Sequence, residues 1–344
     1  MGRTALFLVM GLGAAMGYIG FQMYNSSELA METQYAYLKY VNARNLARTA
    51  VHAALRHYDR TNEPPSEGVN VSFNQGHFRI DSLRTNGDTL RMVTTGAFAE
   101  STYTMRLTLF RTTRPFPSVN GAIGIRATPL DFNTNGKAGV DGRNYNLDGT
   151  ALVGSGDKTG VATWNATDSA EVVNSLGVGK LNGNPPVKSD TTTANPIEYM
   201  DEYIANADII YGPGTYSSVT WGSSTDPKII VCDAGNDTAN FKVKFTGNVK
   251  GWGILAVRGN LEVAGNFDFH GLVIVFGTTN VISFTSSGTP QIVGGLIIAG
   301  NAGVSITLNG GGAVGAKVKY SSAALENARN IGRLRYYTIL DWYE

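Results

Sequence analysis

Cysteine is all but missing. Cys232 is the one thiol in 344 residues, so no internal disulfide can form and no thiolate metal cluster can be built. It lies in the apolar run "KIIVCDAG", where a buried, inert thiol is expected. Histidine is also scarce: His52, His57, His77 and His270 are scattered, with neither an HExxH pair nor a Walker loop in the chain, which leaves out the zincin and P-loop patterns. The "GLGAAMG" stretch has dinucleotide-like glycines but no strand before it, so that reading is excluded. Charge is thin, at 16% of residues against about 25% in ordinary domains, and the net charge is +1. Nothing in that balance calls for nucleic acid, and no nucleic-acid partner is expected. Asp268 and His270 are two apart in "FDFHG" and share a strand face, yet no nucleophile accompanies them, so solvent-facing strand residues are expected. Residues 250–320 hold few charges and no carboxylate cluster. The chain is therefore expected not to be an enzyme and to carry no organic cofactor.

Glycine, by contrast, is abundant, at 42 residues, which favours tight turns and strands over charged helices. The first long feature is apolar. From Ala5 to Tyr24 no side chain but tyrosine ionises, and 20 residues at 1.5 Å each span about 30 Å, one bilayer core. Arg3 precedes this run, favouring a cytoplasmic N-terminus. From Glu28 to His57 there is no Gly or Pro, and Tyr35, Leu38, Val41, Leu46, Val51, Ala54, Leu55 and Tyr58 recur at three-to-four spacing opposite Lys39, Arg44, Arg48 and Arg56. One helix of roughly 55 residues, about 80 Å long, is predicted. Its first half is apolar all round and its second half is amphipathic; "NEPPSEG" stops it.

The predicted fold class is α+β: this helix packed on a small antiparallel sheet, followed by a Gly-rich β-solenoid or β-roll-like region. Alternating runs from Val69 to Thr112 form the sheet, with "TNGD" as a type I′ hairpin at Asn86-Gly87 and a second reversal at "GAFAEST". Residues 1–60 are the helix, 61–115 the sheet, and 116–225 a Gly/Asn/Asp-rich insertion. The insertion holds one short helix at "NPIEYMDEYIANAD", capped by Asn195. Residues 226–344 read as short apolar strands broken by Gly or Asn every 6 to 12 positions, which points to stacked coils, with a β-sandwich as the competing arrangement. A short helix at "SAALENARNI" and the strand-like "YYTILDWYE" close that region.

Two kinds of surface site stand out. "DFNTNG" places Asp131, Asn133 and Asn135 at the alternate positions of a calcium-loop opening, and Asp141 or Asp148 is the candidate for the missing later carboxylate. Asn/Asp/Gly-rich turns are the alternative. Sequons fall at Asn25, Asn70, Asn165 and Asn236, and the last three are the candidate glycosylation sites.

The N-terminal helix running into "NARNLARTAVHAALRHY", the block "FRIDSLRTNGDTLRMVTTGAFAESTYTMRLTL", the loop "VDGRNYNLDG" and the closing "YSSAALENA" and "ILDWYE" together resemble type IV pilin-like proteins of the PilX-type pilus-assembly family. The resemblance implies a structural subunit of an extracellular filament. Its partners would be other copies of itself, the inner membrane before assembly and the pilus assembly machinery. It would be anchored in the inner membrane first and lie at the cell surface afterwards. The family pattern includes a basic leader ending in Gly and a Glu at the fifth mature position, whereas "MGRTA" has neither and the fifth residue is Ala5. Assembly is then expected to rest on helix packing through Leu6, Leu8, Val9, Leu12, Gly13, Gly17, Ile19 and Phe21, with the two glycines allowing close approach. The alternatives are a minor or tip subunit, or an adhesin that binds surfaces or glycans, and, from another class, a membrane-anchored polysaccharide-acting enzyme.

Overall fold

The computed structural model describes residues 2–61, 64–152, 156–176, 180–233, 241–277, 282–310 and 317–343. The chain divides into two compact units, one formed by residues up to Thr112 together with those from Tyr336, the other by Thr113–Arg335.

The first unit is built on a helix, α1 (Gly2–Thr61), unbroken over 60 residues. Its second half carries the small-residue stripe Ala43, Leu46, Ala47, Ala50, Val51 and Ala54, all buried, at the i, i+3, i+4, i+7 spacing that defines one helix face. The buried stripe begins later than the sequence periodicity implied, because Tyr35 and Leu38 are exposed. The facing strands are β1 (Val71–Phe73), β2 (Gly76–Asn86), β3 (Thr89–Phe98) and β4 (Ser101–Thr113). They form an antiparallel sheet in chain order. Ile80, Leu90, Met92, Met105, Leu107 and Leu109 alternate inward against the helix stripe. Helix and sheet meet most closely at Gly96, where a Cβ would stand 2.2 Å from the Ala43 carbonyl oxygen and 2.3 Å from the Ala47 nitrogen. Beside it, the buried Thr94 hydroxyl donates to the Ala47 carbonyl at 3.1 Å.

Two sequence expectations change here. The β2–β3 loop is Gly87-Asp88, and only Gly87 has positive φ, at 59°, which is the pattern of a type II′ turn at its first central residue rather than type I′. The closing segment does not finish the glycine-rich region. Arg335–Tyr343 instead pairs beside β4 as a fifth strand of this sheet, and Trp342 lies under the Arg48 guanidinium, 5.8 Å from it.

The second unit is a curled parallel sheet of three ladders. One ladder joins residues 209–211, 229–233, 254–258, 272–276, 296–299, 123–126, 161–163 and 187–189. A second joins 214–217, 242–246, 260–265, 282–288, 304–310 and 130–136. The third joins 220–221, 248–253, 266–271, 291–294, 317–320, 139–141 and 181–182. The order is not sequential, because residues 123–126 pair with 296–299. Strands from residues 121–221 and from residues 228–320 pair within the same sheet.

Glycine makes the corner on three neighbouring strands of the sheet. Gly253, Gly271 and Gly294 pair with one another across the stack, with φ of +119°, +139° and +142°. A Cβ on Gly271 would stand 1.9 Å from the Gly253 carbonyl oxygen. Only a residue without a side chain turns the chain there while the next strand pairs with it. Asparagine lines a second corner: Asn266 Nδ2 donates to Asn248 Oδ1 at 3.0 Å, and Thr289 donates to Asn266 Oδ1 at 2.6 Å. The first ladder is apolar at successive positions, as in Ile229, Ile230 and Val231, because both sides are buried. Among the described residues this unit carries three α-helices, α2 (Ala166–Leu176), α3 (Ile197–Ala205) and α4 (Ser322–Arg329). The α2 helix was not expected from sequence.

Candidate functional site

The largest unpartnered feature of the first unit is the N-terminal half of α1. From Phe7 onward it carries no acid or base until Glu28. Leu8, Val9, Leu12, Ile19 and Phe21 are 55–69% exposed, so this apolar surface is not covered by the protein's own fold. Around Gly13 and Gly17 nothing lies within 4 Å of where a Cβ would be, and the two share one helix face with Gly20. The Leu6 side chain lies outside the described residues. Among the described residues this is one helix long and apolar enough to cross a membrane, by length and composition. The proposed assembly residues are thus brought together on one element, by helical continuity alone.

The residues singled out for calcium are placed differently. Asp131, Asn133 and Asn135 lie on an extended strand, Leu130–Gly136, so their side chains share one sheet face instead of wrapping inward from a loop. Asn133 donates to Asp131 Oδ1 at 2.7 Å, Ser305 donates to Asp131 Oδ2 at 3.0 Å, and Asn135 donates to Asn309 Oδ1 at 2.9 Å. Asp141 lies on another strand, where Arg143 donates to both its oxygens, through Nε at 3.0 Å and Nη2 at 2.6 Å, and the Tyr145 hydroxyl donates at 2.8 Å. Burial pushes the Asp141 carboxyl up, but those hydrogen bonds outweigh it and hold the group below the usual carboxylate range. Among the described residues no group of three or more His, Cys, Asp or Glu side chains is arranged to hold a metal ion.

Of the glycosylation candidates, Asn70 is exposed. Asn165 is engaged structurally: its Oδ1 accepts from the Asp168 backbone N–H at 2.8 Å, and its Nδ2 donates to Thr128 at 3.2 Å. It caps α2, and the Asn-x-x-Asp spacing at 165–168 is the sequence signal that would have revealed this helix. Asn236 lies outside the described residues.

Asp268 and His270 do meet, with His270 Nε2 3.0 Å from Asp268 Oδ1. The imidazole is not solvent-facing, however: it is 5% exposed, its Nδ1 lies 2.7 Å from the Leu147 carbonyl oxygen, and its ring stacks on Trp252 at 5.4 Å. Both ring nitrogens lie within hydrogen-bond distance of an oxygen, so the residue ties Leu147 of the 142–150 loop to the sheet. Burial raises the Asp268 carboxyl, but the hydrogen bond and charge of His270, with Lys250 and Gln291, together outweigh it and lower its pKa overall. Cys232 is fully buried, and burial raises its thiol pKa well above the ordinary value, in keeping with an inert thiol.

No family model matches the chain, and no curated protein matches it. Among solved structures it is similar to the competence-associated pilin ComZ from Thermus thermophilus. That alignment has 10% identity, covers 89% of this chain and 97% of that one, and has a TM-score of 0.26. A score of that size carries no argument for this chain.

Proposed function

We propose that the chain is a pilin-like structural subunit. In this reading its apolar helix segment first anchors in the inner membrane and then packs against equivalent helices of other copies in an extracellular filament. The observation that carries it is the division of α1: residues 7–24 are apolar on every side and uncovered, while residues 43–54 of the same helix are packed on the sheet. A free apolar helix of about 18 residues is tolerated in lipid or among other helices, and not in water. Exchange between those two surroundings is close to neutral for apolar surface, so packing at Gly13 and Gly17 would decide the balance. The non-enzymatic reading is part of the same proposal. So is the reading of the curled parallel sheet as a three-faced β-solenoid.

The test is made on the full chain expressed in a host with a pilus assembly system. Membrane fractionation should place it with the inner membrane, and electron microscopy of sheared material should show filaments. Gly13→Leu and Gly17→Leu should keep membrane association and lose filaments. A wild-type chain that stays soluble and monomeric without detergent would refute the proposal.

A further inference from the structure

In the third ladder of the parallel sheet, residues 139–141 and 181–182 continue the rows set by Lys317 and Lys319. Gly139 lies beside Lys317, and Lys180 immediately precedes the strand paired with Val140. The two lysines therefore flank a position that has no side chain, roughly 10 Å apart at about 4.8 Å per strand. A groove of about 330 Å³ opens there, with Lys137, Lys180, Lys317 and Lys319 on its walls.

Its one carboxylate, Asp141, is neutralised by Arg143. Among the described residues none of the four lysines has a carboxylate partner. Lys180 reaches only the Gly136 carbonyl oxygen, at 2.8 Å, and Lys319 only that of Gly149, at 3.3 Å. The Lys319 ammonium also lies over the Tyr145 ring, 4.8 Å from its centre. Four lysines and Arg143 around one concavity, against the single carboxylate of Asp141 in its lining, leave a net positive charge that attracts an anion. Burial, and then Lys317 beside it, lower the Lys319 pKa, and the nearby Asp141 and Asp268 carboxylates offset this only in part.

We propose that this groove binds an acidic oligosaccharide, with sugar carboxylates held by Lys317, Lys319 and Lys180 and with Asn182 bonding to ring hydroxyls. The lining favours this class over nucleic acid. Single strands are held by aromatic platforms on which bases stack, and the one aromatic lining residue, Tyr145, is 7% exposed and already covered by Lys319. Lysine ammoniums suit carboxylates as point charges without demanding a planar fork, and Asn182 offers both a donor and an acceptor. The Gly139 gap gives a sugar ring room to lie against the backbone. The site belongs to the second unit alone and does not depend on the filament reading.

The experiment is calorimetric titration of the full chain in detergent with trigalacturonate, its carboxyl-reduced neutral counterpart, inorganic phosphate and a short single-stranded oligonucleotide. Trigalacturonate should bind at least tenfold more tightly than the other three. The double variant K317Q/K319Q should lose at least tenfold of that affinity. Gly139→Val fills the gap without changing charge and should do the same, with an unchanged melting curve confirming that each variant folds. If a variant fails to fold, Lys180→Gln, at an exposed position, replaces it and should weaken binding at least threefold. No binding of trigalacturonate, equal binding of phosphate or oligonucleotide, or affinity unchanged in the folded variants would each overturn the proposal. Because detergent-dispersed monomers are measured, a negative result here leaves the filament test untouched.

Discussion

Gly271 shows how a single position can fix a coil. Its φ of +139° is outside the range that side-chain-bearing residues adopt, and its missing Cβ is the space occupied by the Gly253 carbonyl. Gly271→Ala meets both obstacles at once and is expected to destabilise the second unit by about 2–4 kcal/mol. For a unit of that size the loss corresponds to a melting shift of roughly 5–15 °C, read by calorimetry. Gly212→Ala is the control, since nothing lies within 4 Å of its Cβ position and its φ is unexceptional; it should change stability by less than about 0.5 kcal/mol. The corner glycines were visible in sequence as recurrent Gly-Asn breaks, because a tight turn without a loop has few chemical solutions. The cationic groove was not visible, since Lys137, Lys180, Lys317 and Lys319 come from two ends of the unit's sequence and meet only through the pairing of residues 317–319 with 139–141. The calcium motif failed to become a loop for the same reason: its alternate oxygens fit a strand as well as a turn, and pairing with Val304–Gly310 selects the strand.

Elements were legible where periodicity was long and local. The α1 helix could be read almost end to end, since 60 residues without an interior proline leave the chain one regular choice. Helix α2 was hidden by its Asn- and Thr-rich flanks, and the fifth antiparallel strand by its distance from β4 along the chain. What holds α1 to the sheet is close approach more than bulk: Ala43, Ala47 and Ala50 have no exposed surface at all, and Gly96 leaves room for the Ala43 and Ala47 backbone. Gly96→Val would have to push the helix outward by more than an ångström, so overpacking should cost about 3 kcal/mol. Hydrogen exchange is the measurement. Amides of residues 43–54 and of β3 should lose protection, whereas those of 254–277 in the other unit should keep theirs. Loss of protection in both regions would mean that the two units do not unfold independently.

The glycine corners and ladder registers meet in one question about the whole molecule, whether the second unit folds after losing a repeat. Asn248 and Asn266 occupy equivalent places 18 residues apart, and every residue from 248 to 258 pairs with the one 18 positions later. If the second unit is a solenoid, each coil touches chiefly its neighbours, and removing one complete coil shortens the stack without changing its register. Excising residues 254–271 joins Gly253 to Leu272, keeps a glycine at the corner and returns each inward side chain to an inward position. Excising 254–270 instead leaves one residue extra, which turns every following side chain to the opposite face. The 18-residue excision is expected to melt cooperatively at a reduced temperature, because buried area is lost while the pattern persists. The 17-residue excision is expected to lose its cooperative transition altogether. A β-sandwich predicts something else, since removing the paired runs from the middle of two packed sheets ruins both variants alike. Circular dichroism melts of the two excisions therefore separate the architectures, and failure of both to fold would count against stacked coils.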